Sequence, residues 1–150
     1  MKAWIVLSVL LVSVMARAEN YAVGVILGDP TGLSVKMKLD DVNAIDGALA
    51  YSAGRYGGLQ FHGDYLWDNA RSWHTEQGPL AMYYGLGGRV ISYKRDDISE
   101  VSIGPRGSIG AHLNITNPNL EIFGELALIL DVAPRMAADV DAGVGLRIRF

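Results

Sequence analysis

Apolar and polar residues alternate along most of this chain. From Asp139 to Phe150 (DVDAGVGLRIRF) the pattern is unbroken: Val140, Ala142, Val144, Leu146, Ile148 and Phe150 share one face, and Asp139, Asp141, Gly143, Gly145, Arg147 and Arg149 the other. A period of two places successive side chains on opposite faces of a β-strand. The pattern recurs in seven earlier segments: Tyr21–Gly28, Leu33–Leu39, Ala44–Ser52, Leu59–Trp67, Leu80–Tyr93, Val101–Ile115 and Leu120–Val132. Between them lie turn residues, among them Gly28-Asp29-Pro30-Thr31-Gly32, Asp40–Asn43, Gly54–Gly58 and Asn117-Pro118-Asn119. Proline presets φ in such turns and glycine permits positive φ. Asp68–Pro79, the longest polar stretch, is expected to be a loop, as are Lys94–Ser99 and Ala133–Ala138. No helical period intervenes.

The two faces indicate which solvent each meets. The polar faces together carry Lys36, Lys38, Arg89, Arg106, Arg147 and Arg149, with Asp46, Asp64, Glu121, Glu125, Asp139 and Asp141 as six acids to six bases, and His62 and His112 beside them. The apolar faces carry no charge. A soluble ligand-binding barrel has the opposite arrangement, apolar within and charged without. In an outer-membrane barrel the apolar face meets lipid and the polar face lines the interior. A strand crosses such a membrane in ~9–11 residues, which these segments approach, the first two falling slightly short. The fold expected is therefore all-β: an eight-stranded antiparallel up-and-down transmembrane β-barrel closed by Asp139–Phe150 on Tyr21–Gly28. Eight strands leave just enough interior for side chains to fill, so the charges should form a paired network, with Arg147 and Arg149 of the closing strand paired to Glu121 and Glu125 of its neighbour. With both termini in the periplasm, Tyr21, Tyr65, Trp67 and Phe150 lie near one membrane interface and Tyr51 near the other, where amphipathic rings are favoured.

Length and composition narrow the picture. The 150 residues allow one domain. Residues 1–18 read as a cleaved secretory signal, with Lys2 as the basic start, Ala3–Met15 as the apolar core and Ala16-Arg17-Ala18 as the cleavage site, leaving 19–150 as the barrel. Removing Lys2 and Arg17 from 13 bases leaves 11 against 16 acids, an acidic balance that argues against a nucleic-acid partner. The chain has no cysteine, so neither disulfides nor a lipid-modified cysteine can form. No later segment could span a bilayer as a helix, so a membrane location requires a closed barrel.

Catalytic patterns are weak. His62-Gly63-Asp64 places an imidazole and a carboxylate on the inward face, and Ser34, Ser52, Ser102 and Ser108 also point inward, so a Ser-His-Asp set for lipid modification is conceivable. The competing assignment is that these residues belong to the interior network. Gly85-Leu86-Gly87-Gly88 lacks the spacing and following helix of a nucleotide-binding loop. Asp40-Asp41 and Asp96-Asp97 lack cation-loop spacing, and the three histidines lack metal-ligand spacing. Neither metal nor cofactor is expected.

The runs GDPTGLSVK, NAIDGALAYS, HGDYLW, YYGLGGRV, EIFGELALILDVAP and GVGLRIRF, in this order across nearly the whole mature chain, resemble a family of small bacterial outer-membrane β-barrel proteins of unknown function. The resemblance implies an OmpX- or OmpA-like barrel preceded by a signal peptide, and no catalytic residues. The function expected is a structural or interaction role in the outer membrane of a Gram-negative cell, as a monomer with a filled interior. The alternatives are a lipid-modifying enzyme using His62 and Asp64, or a narrow pore. Its partners would be outer-membrane lipid and the barrel-insertion machinery, which would read the closing strand through its terminal aromatic, Phe150.

Overall fold

The computed structural model describes residues 20–54 and 57–150; the expected signal peptide, residues 1–18, lies outside them. Eight strands follow in chain order: β1 (Tyr21–Asp29), β2 (Thr31–Lys38), β3 (Asn43–Ser52), β4 (Gly58–Thr75), β5 (Gly78–Arg95), β6 (Ile98–Ile115), β7 (Leu120–Asp131) and β8 (Ala137–Arg149). Each is antiparallel to its neighbours in sequence, and β8 returns to β1, so the sheet closes into a barrel. The seam runs from Ala22 opposite Arg149 to Asp29 opposite Ala142. No helix among the described residues is long and apolar enough to cross a membrane. Closure removes the sheet edges around the barrel, and among the described residues only the β4–β5 and β5–β6 hairpins project beyond it with one side unpaired.

Two expected loops are strand instead. β4 continues to Thr75 and β5 begins at Gly78, so Asp68–Pro79 is the tip of a hairpin turning at Glu76 and Gln77. The register shifts between Trp67 and Arg71. That bulge breaks the alternation, which made the segment look irregular. Lys94–Ser99 narrows in the same way to Asp96 and Asp97, both at positive φ (50° and 63°), a conformation that aspartate tolerates better than most residues. In the β2–β3 turn the Asp40 carboxylate accepts from the backbone N–H of Val42 and of Asn43, each at 2.8 Å, and from the Asn43 amide. The Asn43 side chain first, then these backbone donors, hold the Asp40 carboxyl below its ordinary value.

The outward positions follow the expected pattern. Leu33, Val35, Leu49, Phe61, Leu86, Ile109, Leu126, Leu128, Val140, Val144 and Ile148 are all exposed. Among the described residues, the cations at outward strand positions are Arg71, on the β4–β5 hairpin beyond the bulge, and Lys94, beside the β5–β6 turn; both lie at the ends of the barrel, away from its apolar middle. Trp67 stacks on Tyr84 at 5.1 Å and meets Tyr65 edge-on at 5.3 Å, an aromatic cluster at the barrel end that carries both termini.

Inside, bulky residues face glycines across the register. Tyr83 is opposite Gly110, and Phe123 is opposite Gly145. A Cβ at either glycine would run into the facing aromatic ring, so the absence of a side chain on one strand makes room for the ring on the next. Phe123 joins Ile26 and Ala48, and Tyr83 joins Leu66 and Ala44, in small apolar clusters among the interior charges. Gly145→Ala should therefore lower the unfolding midpoint of detergent-refolded protein by the equivalent of ~1–3 kcal/mol, the usual cost of overpacking. Shortening the ring in Gly145→Ala/Phe123→Leu should recover part of the loss, and strict additivity of the two changes would refute the packing account.

Candidate functional site

The polar interior is the candidate site. Four cations, Lys36, Arg89, Arg106 and Arg147, are buried there, with seven carboxylates: Asp46, Asp64, Asp68, Glu121, Glu125, Asp131 and Asp141. The expected balance of six to six is therefore not what the described residues contain. Lys38, Asp139 and Arg149 sit toward the mouths and are only half-buried, while Asp68 and Asp131 are additional interior acids. Asp68 was hidden by the apparent loop. Asp131 lies on the polar face of β7 and would have been found by extending the count to the end of that strand.

The charges form three linked groups along the barrel. Nearest the termini, Lys36 Nζ lies 2.7 Å from Asp68 and 2.9 Å from Glu121. His112 stands 3.2 Å from Asp68, and Arg147 donates to Glu121 at 2.7 Å and to Asp46 at 3.1 Å. The Ser34 hydroxyl accepts from the same guanidinium at 2.8 and 3.0 Å. That guanidinium also lies over the Phe123 ring, 3.8 Å from its centroid, the favourable face for a cation.

In the middle, Arg106 bonds Asp64 and donates to Glu125 at 2.5 Å. The Tyr83 hydroxyl donates to the other Glu125 oxygen at 2.8 Å, Ser108 to Asp64 at 3.2 Å and Gln60 to Asp141 at 2.7 Å. Toward the opposite end, Arg89 reaches Asp131 and Asp139, each at 2.7 Å, and Asp141 at 3.5 Å.

The register accounts for the pairing. Glu121 is directly opposite Arg147, within reach of a facing side chain. Glu125 is flanked by Gly110 and Gly143, so nothing beside it fills the space and its carboxylate extends to Arg106 and Tyr83. The expectation that Arg147 and Arg149 would pair with Glu121 and Glu125 holds only for the Arg147–Glu121 pair; Arg149 instead donates to the Ile115 carbonyl at 3.0 Å. The His62 ring lies beside Gln60, 3.4 Å from its amide nitrogen, and Asp64 is engaged by Arg106 and Ser108. Both are almost wholly inaccessible, and the described contacts do not join His62 to a serine and an aspartate in one hydrogen-bonded set.

These features define a class of architecture: a closed eight-stranded antiparallel barrel, apolar outside and ion-paired within. The chain is similar to the N-terminal β-barrel domain of OprF from Pseudomonas aeruginosa, known from a crystal structure. The TM-score is 0.64 at 14% identity, covering 88% of this chain and 98% of that one. Identity this low supports the fold and nothing finer. No protein-family model matches the chain, and no curated protein matches it.

The network makes a graded prediction. Glu125→Ala should destabilise refolded protein by ~3–5 kcal/mol, because it leaves Arg106 short of a counterion in a buried setting. Arg149→Gln removes only a half-exposed bond to a carbonyl and should cost about 1 kcal/mol or less. Urea unfolding in a common detergent measures both, and equal losses would show that the interior is solvated.

Proposed function

We propose that this protein is a small outer-membrane β-barrel with a filled, charge-paired interior and a structural or interaction role, exported by cleavage of residues 1–18. The observation that carries the reading is the apolar outward surface of the closed barrel, with its outward cations Arg71 and Lys94 confined to the projecting hairpins, around an interior of buried ion pairs. Water would expose that surface at great cost, whereas hydrocarbon requires it. The Tyr65–Trp67–Tyr84 cluster at one end suits a membrane interface, and the OprF barrel provides a precedent for the fold. Guanidiniums bridged to carboxylates on several strands support a filled barrel over a pore, and the engagement of Asp64 by Arg106 argues against the lipid-modifying alternative. A sheet closed on itself along β1 and β8 also suits a monomer.

The test is fractionation of cells expressing the full chain, with gel mobility compared before and after boiling. Outer-membrane recovery and a heat-dependent mobility shift are expected; recovery in the soluble periplasm would overturn the reading. A step conductance in planar bilayers would replace the filled barrel by a pore.

Two variants separate location from stability. Leu128→Arg puts a charge on the exposed outward face of β7 and should impair insertion by ~2–4 kcal/mol if it lies near the midplane. Deleting Phe150 should lower outer-membrane yield while leaving detergent-refolded protein folded, because its proposed role is recognition of the closing strand. Normal yield from that deletion would remove the assigned role.

A further inference from the structure

We propose that a cleft between the β5–β6 turn and the β7–β8 connection, at the barrel end opposite the termini, binds the phosphoryl group of a lipid headgroup. The cleft encloses about 360 Å³, and its lining includes Lys94, Arg95 and Arg135 but no carboxylate. No ion pair joins these three cations to a described acid. The adjacent acids are turned to other uses: Asp96 and Asp97 form the turn itself, and Glu100 accepts from the Tyr93 hydroxyl at 2.8 Å. The four buried cations of this barrel all lie against carboxylates, whereas these three exposed ones gather around one cavity with no acid in its lining.

A second observation points to a ligand. Ser102, on β6, lines the same cleft, is 1% exposed, and its hydroxyl has no hydrogen-bond partner among the described residues. A buried donor without an acceptor is costly, and a ligand oxygen in the cleft would satisfy it. The ligand must supply negative charge to three cations and several acceptor oxygens, one of them deep. A phosphoryl group does both, and guanidinium forks match its geometry.

The surroundings favour a lipid as its carrier. Met136, at the rim of the cleft, is 88% exposed. Val132 and Ile103 continue the apolar surface from there onto the outward face, where the Ile103 and Val132 backbones are hydrogen-bonded beside the connection. A phosphoryl group in the cleft would leave an attached acyl chain lying along these side chains. This assignment of the source rests on the proposed outer-membrane location, with this end in the outer leaflet.

The experiment is calorimetric titration of the refolded full chain in zwitterionic micelles with short-chain phosphatidic acid, short-chain phosphatidylcholine or inorganic phosphate. Saturable binding of phosphatidic acid is expected, with inorganic phosphate weaker by about tenfold or more and phosphatidylcholine inert. Arg95→Gln/Arg135→Gln should weaken phosphatidic acid binding by about tenfold or more, and Ser102→Ala by a few-fold. Arg71→Gln, at the other end of the barrel, should leave it unchanged. Boiling-dependent mobility confirms that each variant is folded, and if the double variant does not fold, Ser102→Ala and Arg135→Gln singly carry the test. Phosphatidic acid affinity unchanged in the folded cleft variants, or no preference over phosphatidylcholine, would overturn the site. Inorganic phosphate binding as tightly as phosphatidic acid would refute the lipid source. A chain that fractionates with outer membranes yet shows no phosphatidic acid preference refutes the cleft alone, whereas binding by a chain recovered in the soluble fraction refutes the membrane reading.

Discussion

A closed eight-stranded sheet has an interior so narrow that whatever points inward must pack, pair or both. Here the inward residues are mostly charged, and the pairing of four cations with seven carboxylates is the constraint on which the structure depends. Each cation serves several acids. Arg89 is within ion-pair distance of Asp131, Asp139 and Asp141, Arg106 of Asp64, Glu125 and Asp141, Arg147 of Asp46 and Glu121, and Lys36 of Asp68 and Glu121. Three of the four are arginines, whose five donors in a rigid fork can serve several acceptors at once. Neutral donors make up part of the shortfall, with Tyr83 on Glu125, Gln60 on Asp141 and Ser108 on Asp64. Losing one carboxylate therefore deprives a cation of one of its two or three partners, while losing one arginine would strip two or three carboxylates together.

Sterics and electrostatics are coupled through the glycines. Gly110 gives the Tyr83 ring its space, and Tyr83 in turn directs its hydroxyl to Glu125. Gly145 does the same for Phe123, whose ring lies under the Arg147 guanidinium. A side chain at either glycine would displace an aromatic residue and, through it, an ion pair. The alternation of small and large residues across the register is thus what sets the geometry of the charges.

The strands and their inward and outward faces were legible because a period of two survives in nearly every segment. Legibility failed where something other than period carries the information. The bulge between Trp67 and Arg71 interrupts the alternation, and the hairpin beyond it turns at Glu76-Gln77 without a strong turn signature, so the sequence presents Asp68 as a loop residue rather than an interior acid. The partners of Glu125 are hidden in the sequence for a different reason. Strand adjacency pointed to the arginines of β8, but a carboxylate flanked by two glycines is not held to its direct neighbour, and the acid reached Arg106 on β6 instead. Arg149 shares a face with Arg147 yet lies at the mouth, where a carbonyl at the end of β6 meets it. Periodicity reports a face; depth within the barrel depends on shear and strand length, which no single segment contains.

The two ends differ in a way the middle does not. At the end with the termini, the projecting β4–β5 hairpin walls a cup of about 670 Å³ in which Lys36, Lys38 and Arg149 are accompanied by Asp41, Asp68 and Glu121. At the other end the lining cations have no acid among them. Inside the barrel each buried cation must find its partners among the interior carboxylates, because nothing else is there to pair with it. The mouths are free of that requirement, since water and headgroups can serve as partners. Charge left unpaired at a mouth is thus not demanded by folding, and it is there, rather than in the ion-paired interior, that residues of this chain are available to recognise something outside it.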